Sequence, residues 1–264
     1  RDAVMAAGIP GLRYEKNPVR QGAAGNWNRA VRLARGNWIK MMHHDDWFAA
    51  PDSLARMAEL AGKHPGTDLV FCGTWQVTLK EGRKEGKETA AKEWDRFARG
   101  ISKEQEALIR ADYRNLFLGN WIGAPSATLY RKTGLEYEPS LTWLVDVEYY
   151  MRLLARNPGF ACTAEPLICI GVSESQLTES CKRDGDLNLY EYGFVFREFG
   201  LKREERFCEK LARIGLKYRQ PWEKMEAYGI SRTLWKEMAR QKRKEELAGL
   251  VKAAGKKLLQ KGRT

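Results

Sequence analysis

The sequence predicts an α/β fold that continues into a helical C-terminal extension. Two patterns carry that expectation. Strand-like and helical stretches alternate up to about residue 170, and from about residue 186 the pattern is helical to the end. Within the first part, the apolar run Trp38-Ile-Lys-Met-Met42 stops abruptly at His43-His-Asp-Asp46. An open α/β sheet places its ligand at the carboxyl ends of buried strands, where such polar residues would be delivered.

Residues 1–8 read as the last turns of a helix closed by Gly8. Residues 12–16 read as a short strand broken by Asn17-Pro18, and residues 21–25 as a loop. Asn26 can cap a helix on which Trp27, Ala30, Val31 and Ala34 recur at helical spacing, with Gly36 ending it. After the strand 38–42 and its acidic turn, Pro51 and Asp52 suit a helix start, and Leu54, Met57, Ala58 and Ala61 form its buried stripe. Residues 68–79 read as one strand, or as two joined near Gly73, followed by a charged, solvated connection over 80–92. Residues 102–118 look helical, 120–126 form a loop, and 127–130 a strand. Residues 144–155 give a strong helix, with Val147, Tyr150, Met151 and Leu154 at i, i+3, i+4 and i+7 and Asp146 off that stripe. Residues 160–170 read as a strand interrupted by Pro166.

With 264 residues, 43% of them hydrophobic and 11% aromatic, the chain can bury a full core and is not disordered. It lacks the run of about 18 apolar residues that a spanning helix needs. Five scattered cysteines with no C-x-x-C pair favour a reduced, cytoplasmic setting and argue against zinc. The net charge of +12 is concentrated in the tail, where residues 231–264 hold 11 Lys and Arg against three Glu. The chain opens Arg1-Asp-Ala-Val-Met5 without an initiator Met, so a missing N-terminal segment is expected.

Three groups could do chemistry. Asp45-Asp46 suits either a cap ahead of the Pro51 helix or a hard divalent cation that also holds substrate phosphates. His43 and His44 lack the i, i+4 spacing of helical zinc ligands, so hydrogen bonding at the strand end is their expected role. Asp146, two residues before Glu148, is either a dipole-stabilised helix start or a general base held at a strand–helix junction.

In order along the chain, Gly25-Asn-Trp-Asn-Arg-Ala30, Ala34-Arg-Gly36-Asn-Trp-Ile39, His43-His-Asp-Asp46 and Pro51 resemble glycosyltransferase family 2. Gly123-Ala-Pro-Ser126 with Tyr130-Arg131, Val145-Asp146 through Arg152-Leu153, and Glu165-Pro-Leu167 resemble its downstream segments. The resemblance covers residues 1–180 and leaves 181–264 as a basic helical extension. It implies a GT-A (Rossmann-like) mixed sheet flanked by helices. It also implies inverting transfer of a hexose from a nucleotide-diphosphate sugar to a glycan, lipid-linked or protein acceptor, as in cell-envelope polysaccharide synthesis. Asp46, with Asp45, would hold Mg²⁺ or Mn²⁺; Asn26, Arg29, Asp45 and Gly123 would contact the donor; Asp146 would be the base. Two departures stand out. The family's first strand and helix, which hold the nucleotide base, are not in this chain. The His that often supplies a third metal contact is also missing, leaving Ser173 or Glu174 as substitutes.

Two other expectations concern the tail and the activity. Leu247, Leu250, Val251, Ala254 and Leu258 form an apolar stripe among lysines, suited either to packing on the domain or to lying on the inner face of an anionic membrane. A catalytically inactive binding module of the same family is the alternative to an enzyme. No nucleic-acid motif accompanies the basic charge, and no nucleic-acid partner is expected.

Overall fold

The computed structural model describes residues 6, 8–80, 93–172 and 177–261. Among these the chain is α/β: a six-stranded mixed sheet flanked by helices, followed by a run of helices. The strands are β1 (Trp38–Ile39), β2 (Asp46–Phe48), β3 (Leu69–Lys80), β4 (Glu93–Arg99), β5 (Thr128–Arg131) and β6 (Phe160–Val172). Their order is β1-β5-β3-β6-β2, with β4 paired to β3 beyond the end of β5. Only β3 and β6 run parallel; the other pairs are antiparallel.

The two long central strands are apolar where both faces are covered, as Leu69, Val70, Phe71, Ala161 and Ile168 are. The break expected near Gly73 is a bulge in one continuous strand, where the register shifts opposite Pro166. Proline has no N–H to give the ladder, and a Cβ at Gly73 would lie 2.2 Å from the Ala164 carbonyl oxygen. A residue without a side chain is therefore required at the point where the two backbones close.

The helices that matter for the site are α1 (Gly22–Leu33), α2 (Ser53–Lys63), α3 (Lys103–Ala111) and α4 (Val145–Arg156). Beyond β6 come α5 (Leu177–Arg183), α6 (Gly185–Glu198), α7 (Glu205–Lys217), α8 (Trp222–Glu226) and α9 (Arg232–Lys261). One cluster of buried side chains joins the sheet (Ile39, Leu69, Phe71, Phe160) to α4 (Tyr149, Tyr150, Met151, Leu154). The same cluster continues into Phe196, Phe207, Leu211 and Met238 of the later helices. At its centre Tyr137 stacks on Tyr149 at 4.1 Å between ring centroids, and Tyr130 meets both rings edge-on.

Several local expectations are corrected. Residues 12–16 form no strand, because they lie exposed and no neighbouring strand takes up their backbone hydrogen bonds. Helix α1 starts at Gly22 rather than after Asn26, so Asn26 sits inside the helix and does not cap it. Only Trp38 and Ile39 of the stretch 38–42 pair in the sheet, with Arg131 and Tyr130. Leu54 and Ala58 of α2 are exposed, while Ser53, Met57 and Ala61 face inward. Strand β4 was not expected at all. The helix expected over 1–8 and the connection expected over 80–92 lie almost wholly outside the described residues.

Candidate active site

The acidic turn sits between β1 and β2. After Ile39 the chain leaves the sheet, with the Lys40 ammonium donating to the carbonyls of Met41 and Ser126. It turns at His44–Asp45 and re-enters as β2, antiparallel to β6 with Asp46 opposite Ile170. Asp46 is thus the first residue of the returning strand, not the last of the incoming one. Its side chain is 2% exposed, and its Oδ1 accepts from the Gly171 N–H at 3.2 Å. The Ser126 hydroxyl also hydrogen-bonds this carboxylate, and it accepts from the His43 backbone N–H at 2.9 Å. Gly171 is required here by close approach, since a Cβ would stand 2.4 Å from the Asp45 carbonyl oxygen.

Burial dominates the electrostatics of this turn. It raises the Asp46 carboxyl above its usual range, against the hydrogen bond from Ser126 and the charge of His43. It lowers His43, against the charges of Asp46 and Asp45. It also brings Lys40 down to about 8. His43 stacks on Trp27 of α1 at 5.1 Å and holds Nδ1 3.8 Å from Asp46 Oδ2. Its Nε2 is buried and has no hydrogen-bond partner. Asp45 is more open, at 34% side-chain exposure, with one oxygen 3.9 Å from His44 Nδ1. One donor atom each from His43, Asp45 and Asp46 lies within 4.8 Å of the others, which is compact enough for a single metal ion. This includes His43, for which hydrogen bonding at the strand end was expected ahead of metal ligation. Ser173 and Glu174, the substitutes expected for a third contact, lie outside the described residues.

Asp146 enters from the other side, in the first turn of α4. Its Oδ1 accepts from the Val147 N–H at 2.8 Å and its Oδ2 from the Asn120 side-chain amide at 2.8 Å. The cost of burial outweighs these bonds, and with the nearby charge of Glu191 pushes the carboxyl up to about 6. Asn120 is itself held, because it also donates to the Gly123 carbonyl at 3.2 Å and accepts from the Gly123 N–H at 2.9 Å. Gly123 has φ +101°, a conformation that favours glycine, and its carbonyl also accepts from the Tyr150 hydroxyl at 3.3 Å.

A cleft of about 790 Å³ joins the two halves. It is lined by Asn26 and Trp27 of α1, by residues 41–46, by Ala124 and Pro125, by Trp143 and Asp146, and by Ile170. The structure therefore brings Asp45, Asp46, Asp146 and Asn26 to one cavity. It leaves two expected donor contacts outside the lining. Arg29 points toward Glu15, 3.6 Å away, and Gly123 braces Asn120 from behind. Asn26 lines the cleft while accepting from the Asn17 amide at 2.8 Å.

Three further side chains that position the residues of the cleft were not singled out individually from the sequence. Asn120 orients Asp146 and Ser126 ties Asp46 to His43, each through contacts between residues far apart in the chain. The third is Glu191 of α6, which is fully buried. Its carboxylate accepts from the backbone N–H groups of Thr142, Trp143 and Leu144 at 2.7, 2.8 and 2.7 Å. These N–H groups belong to the turn that enters α4, with Leu144 at its N-cap position, so a residue from the helical extension fixes the segment leading into the helix that carries Asp146.

The model of glycosyl transferase family 2 matches residues 2–137, just over half of the chain. The chain belongs to this family. The chain is 41% identical over 51 residues to a PGL/p-HBAD biosynthesis glycosyltransferase of Mycobacterium bovis, covering 19% of this chain and 20% of that protein. It is 27% identical over 163 residues to an uncharacterized protein of Mycobacterium tuberculosis, covering 56% of this chain and 46% of the relative. The chain thus spans a fifth to just under half of the length of these curated relatives. A solved structure of S. aureus TarS, residues 1–349, aligns over 85% of this chain and 72% of that one, with 15% identity and a TM-score of 0.42.

Proposed function

We propose that this glycosyltransferase moves a hexose from a nucleotide-diphosphate donor to an acceptor hydroxyl with inversion, using Asp146 as the general base. The observation that supports the reading is a single cleft with an acidic turn on one wall and an isolated, proton-accepting carboxylate on the other. A carboxyl held at about 6 is ionised at neutral pH yet basic enough to take a proton from a hydroxyl as it attacks. One such base suffices for inversion; glycoside hydrolases instead flank the bond with two carboxyl groups. Asn120 and the Val147 N–H fix the carboxylate where it lines the cavity.

The donor set of the acidic turn fits a divalent cation. Asp46 and Asp45 supply carboxylate oxygens, and the buried Nε2 of His43 is a polar atom with no hydrogen-bond partner. Held by Asp46 and Asp45, such an ion would supply positive charge to offset that developing on a leaving diphosphate. On this reading Asp46 and Asp45 hold Mg²⁺ or Mn²⁺, Trp27 keeps the His43 ring in place, and Asn26 lies where it can meet the donor.

The test is a panel of sugar nucleotides with Mn²⁺, reading both transfer and the anomeric configuration of the product. Wild type is expected to give inverted product. Asp46→Ala is expected to weaken Mn²⁺ binding in the presence of nucleoside diphosphate at least tenfold, on the order of what loss of one ligand of the ion removes. Unchanged transfer by both Asp46→Ala and Asp146→Asn would overturn the assignment of roles, and a retained anomer would overturn the mechanism.

A further inference from the structure

Helix α9 has two different halves. Its first part is packed and tied to α7. Met238 is buried, Arg213 donates to Gln241 at 2.6 Å and to Glu245 at 3.2 Å, and Lys242 donates to the Leu216 carbonyl at 2.7 Å. From residue 243 to residue 252 every side chain is exposed. Leu247, Leu250 and Val251 fall in this stretch, at 63%, 67% and 73% exposure. They stand at i, i+3 and i+4, so they share one face of the helix. Stepping back along that face by three and four residues reaches Arg243, Arg240 and Lys236, all exposed. The face is a single stripe that begins with three cations and continues with three large apolar side chains.

Water is a poor partner for three adjacent, exposed aliphatic side chains on the outer half of this helix, so this stripe is built for an occupant. Charge selects which one. The tail over 231–264 carries 11 Lys and Arg against three Glu, so a second copy would bring a net charge of +8 against another +8. An anionic surface would instead attract it. No helix among the described residues is long and apolar enough to cross a membrane, so the stripe would lie on the surface and not span it. We propose that the exposed half of α9 docks this protein on an anionic lipid bilayer, with Leu247, Leu250 and Val251 entering the headgroup–acyl boundary and Lys236, Arg240 and Arg243 meeting the lipid phosphates. The inference is independent of the catalytic assignment, because neither half of α9 lines the cleft.

The experiment is flotation of the full chain with vesicles of roughly seven parts phosphatidylcholine to three of phosphatidylglycerol, beside vesicles of phosphatidylcholine alone, at about 0.1 M salt. Recovery with the anionic vesicles is expected, with loss of about tenfold or more on neutral vesicles and at about 1 M salt. Substituting L247E, L250E and V251E together is expected to abolish flotation while leaving the thermal melt unchanged, since all three side chains are exposed. Flotation of the triple variant at the wild-type level would overturn the proposal, as would equal recovery on both vesicle types. So would a wild-type dimer in light scattering that the triple variant breaks to monomer while neither floats, because a second copy would then be the occupant.

Discussion

Asp146→Asn is expected to lower transfer by about 10²–10⁴-fold, the range a positioned general base supplies, and at the same time to stabilise the fold at neutral pH. Both effects have one cause. Burial holds the carboxyl at about 6 in the folded chain, whereas in the unfolded chain it would titrate near the usual value of about 3.9. The folded state therefore favours the protonated form. The stability this group contributes is complete below pH of about 4 and is lost as the pH rises through about 6. The loss reaches at most about 3 kcal/mol on a two-unit shift, and contact with the open cleft reduces it to roughly 1–2 kcal/mol. Asparagine has no proton to lose, although it gives up one hydrogen bond to Asn120 or Val147, which costs about 1 kcal/mol. Thermal melts should place the variant level with or above wild type at pH 7.5 and below it at pH 4.5. The wild-type rate should fall as pH drops through about 6, when the base is protonated. Parallel melting curves for the two proteins across this pH range would show that Asp146 is not held in an unfavourable ionised state.

Glu191→Ala is expected to destabilise the protein by several kcal/mol, a large part of the 5–15 kcal/mol on the order of which whole domains depend. The carboxylate accepts three backbone N–H groups of the turn that enters α4 and has no exposed surface. Removing it leaves the buried Leu144 N–H unsatisfied, at about 1–3 kcal/mol, with a smaller cost at the part-buried Thr142 and Trp143 N–H groups, and opens a small cavity. Glu191→Gln keeps one carbonyl oxygen for these donors and should lose only part of that stability. Urea unfolding measures both variants, and a cost below about 1 kcal/mol for alanine would mean that water or a neighbour takes over these bonds. Transfer should fall further than stability alone predicts under conditions where the alanine variant is still folded. The reason is proximity: Leu144, the last residue held, is two positions before Asp146, so a frayed helix start would move the base.

Much of the frame was legible because it depends on local patterns. The phase of α4 follows from Val147, Tyr150, Met151 and Leu154, all of which are buried. The central strands β3 and β6 announce themselves by continuous apolar runs, and Gly73 and Pro166 mark the one place where their ladder breaks. The acidic turn and Asp146 were visible as polar residues at the ends of apolar elements, and they do line one cleft.

What was not legible depends on partners distant in sequence. Strand β4 (Glu93–Arg99) is a polar, exposed segment, and it is a strand only because β3 offers it an open edge. Residues 12–16 have a comparable pattern and no such edge, so they form none. Leu54 and Ala58 are at core spacing on α2, but they border a shallow groove with Trp38 and Leu129 and remain exposed. Periodicity by itself determined which faces of the chain prefer to be buried, and thereby the α/β class and the position of the acidic turn. Tertiary structure alone decided that Asn120 would hold Asp146, that Ser126 would hold Asp46, and that Glu191 would hold the turn entering α4 from 47 to 49 residues away. Those bonds satisfy polar groups that burial would otherwise leave unpaired, and no local pattern records which distant residue will do so.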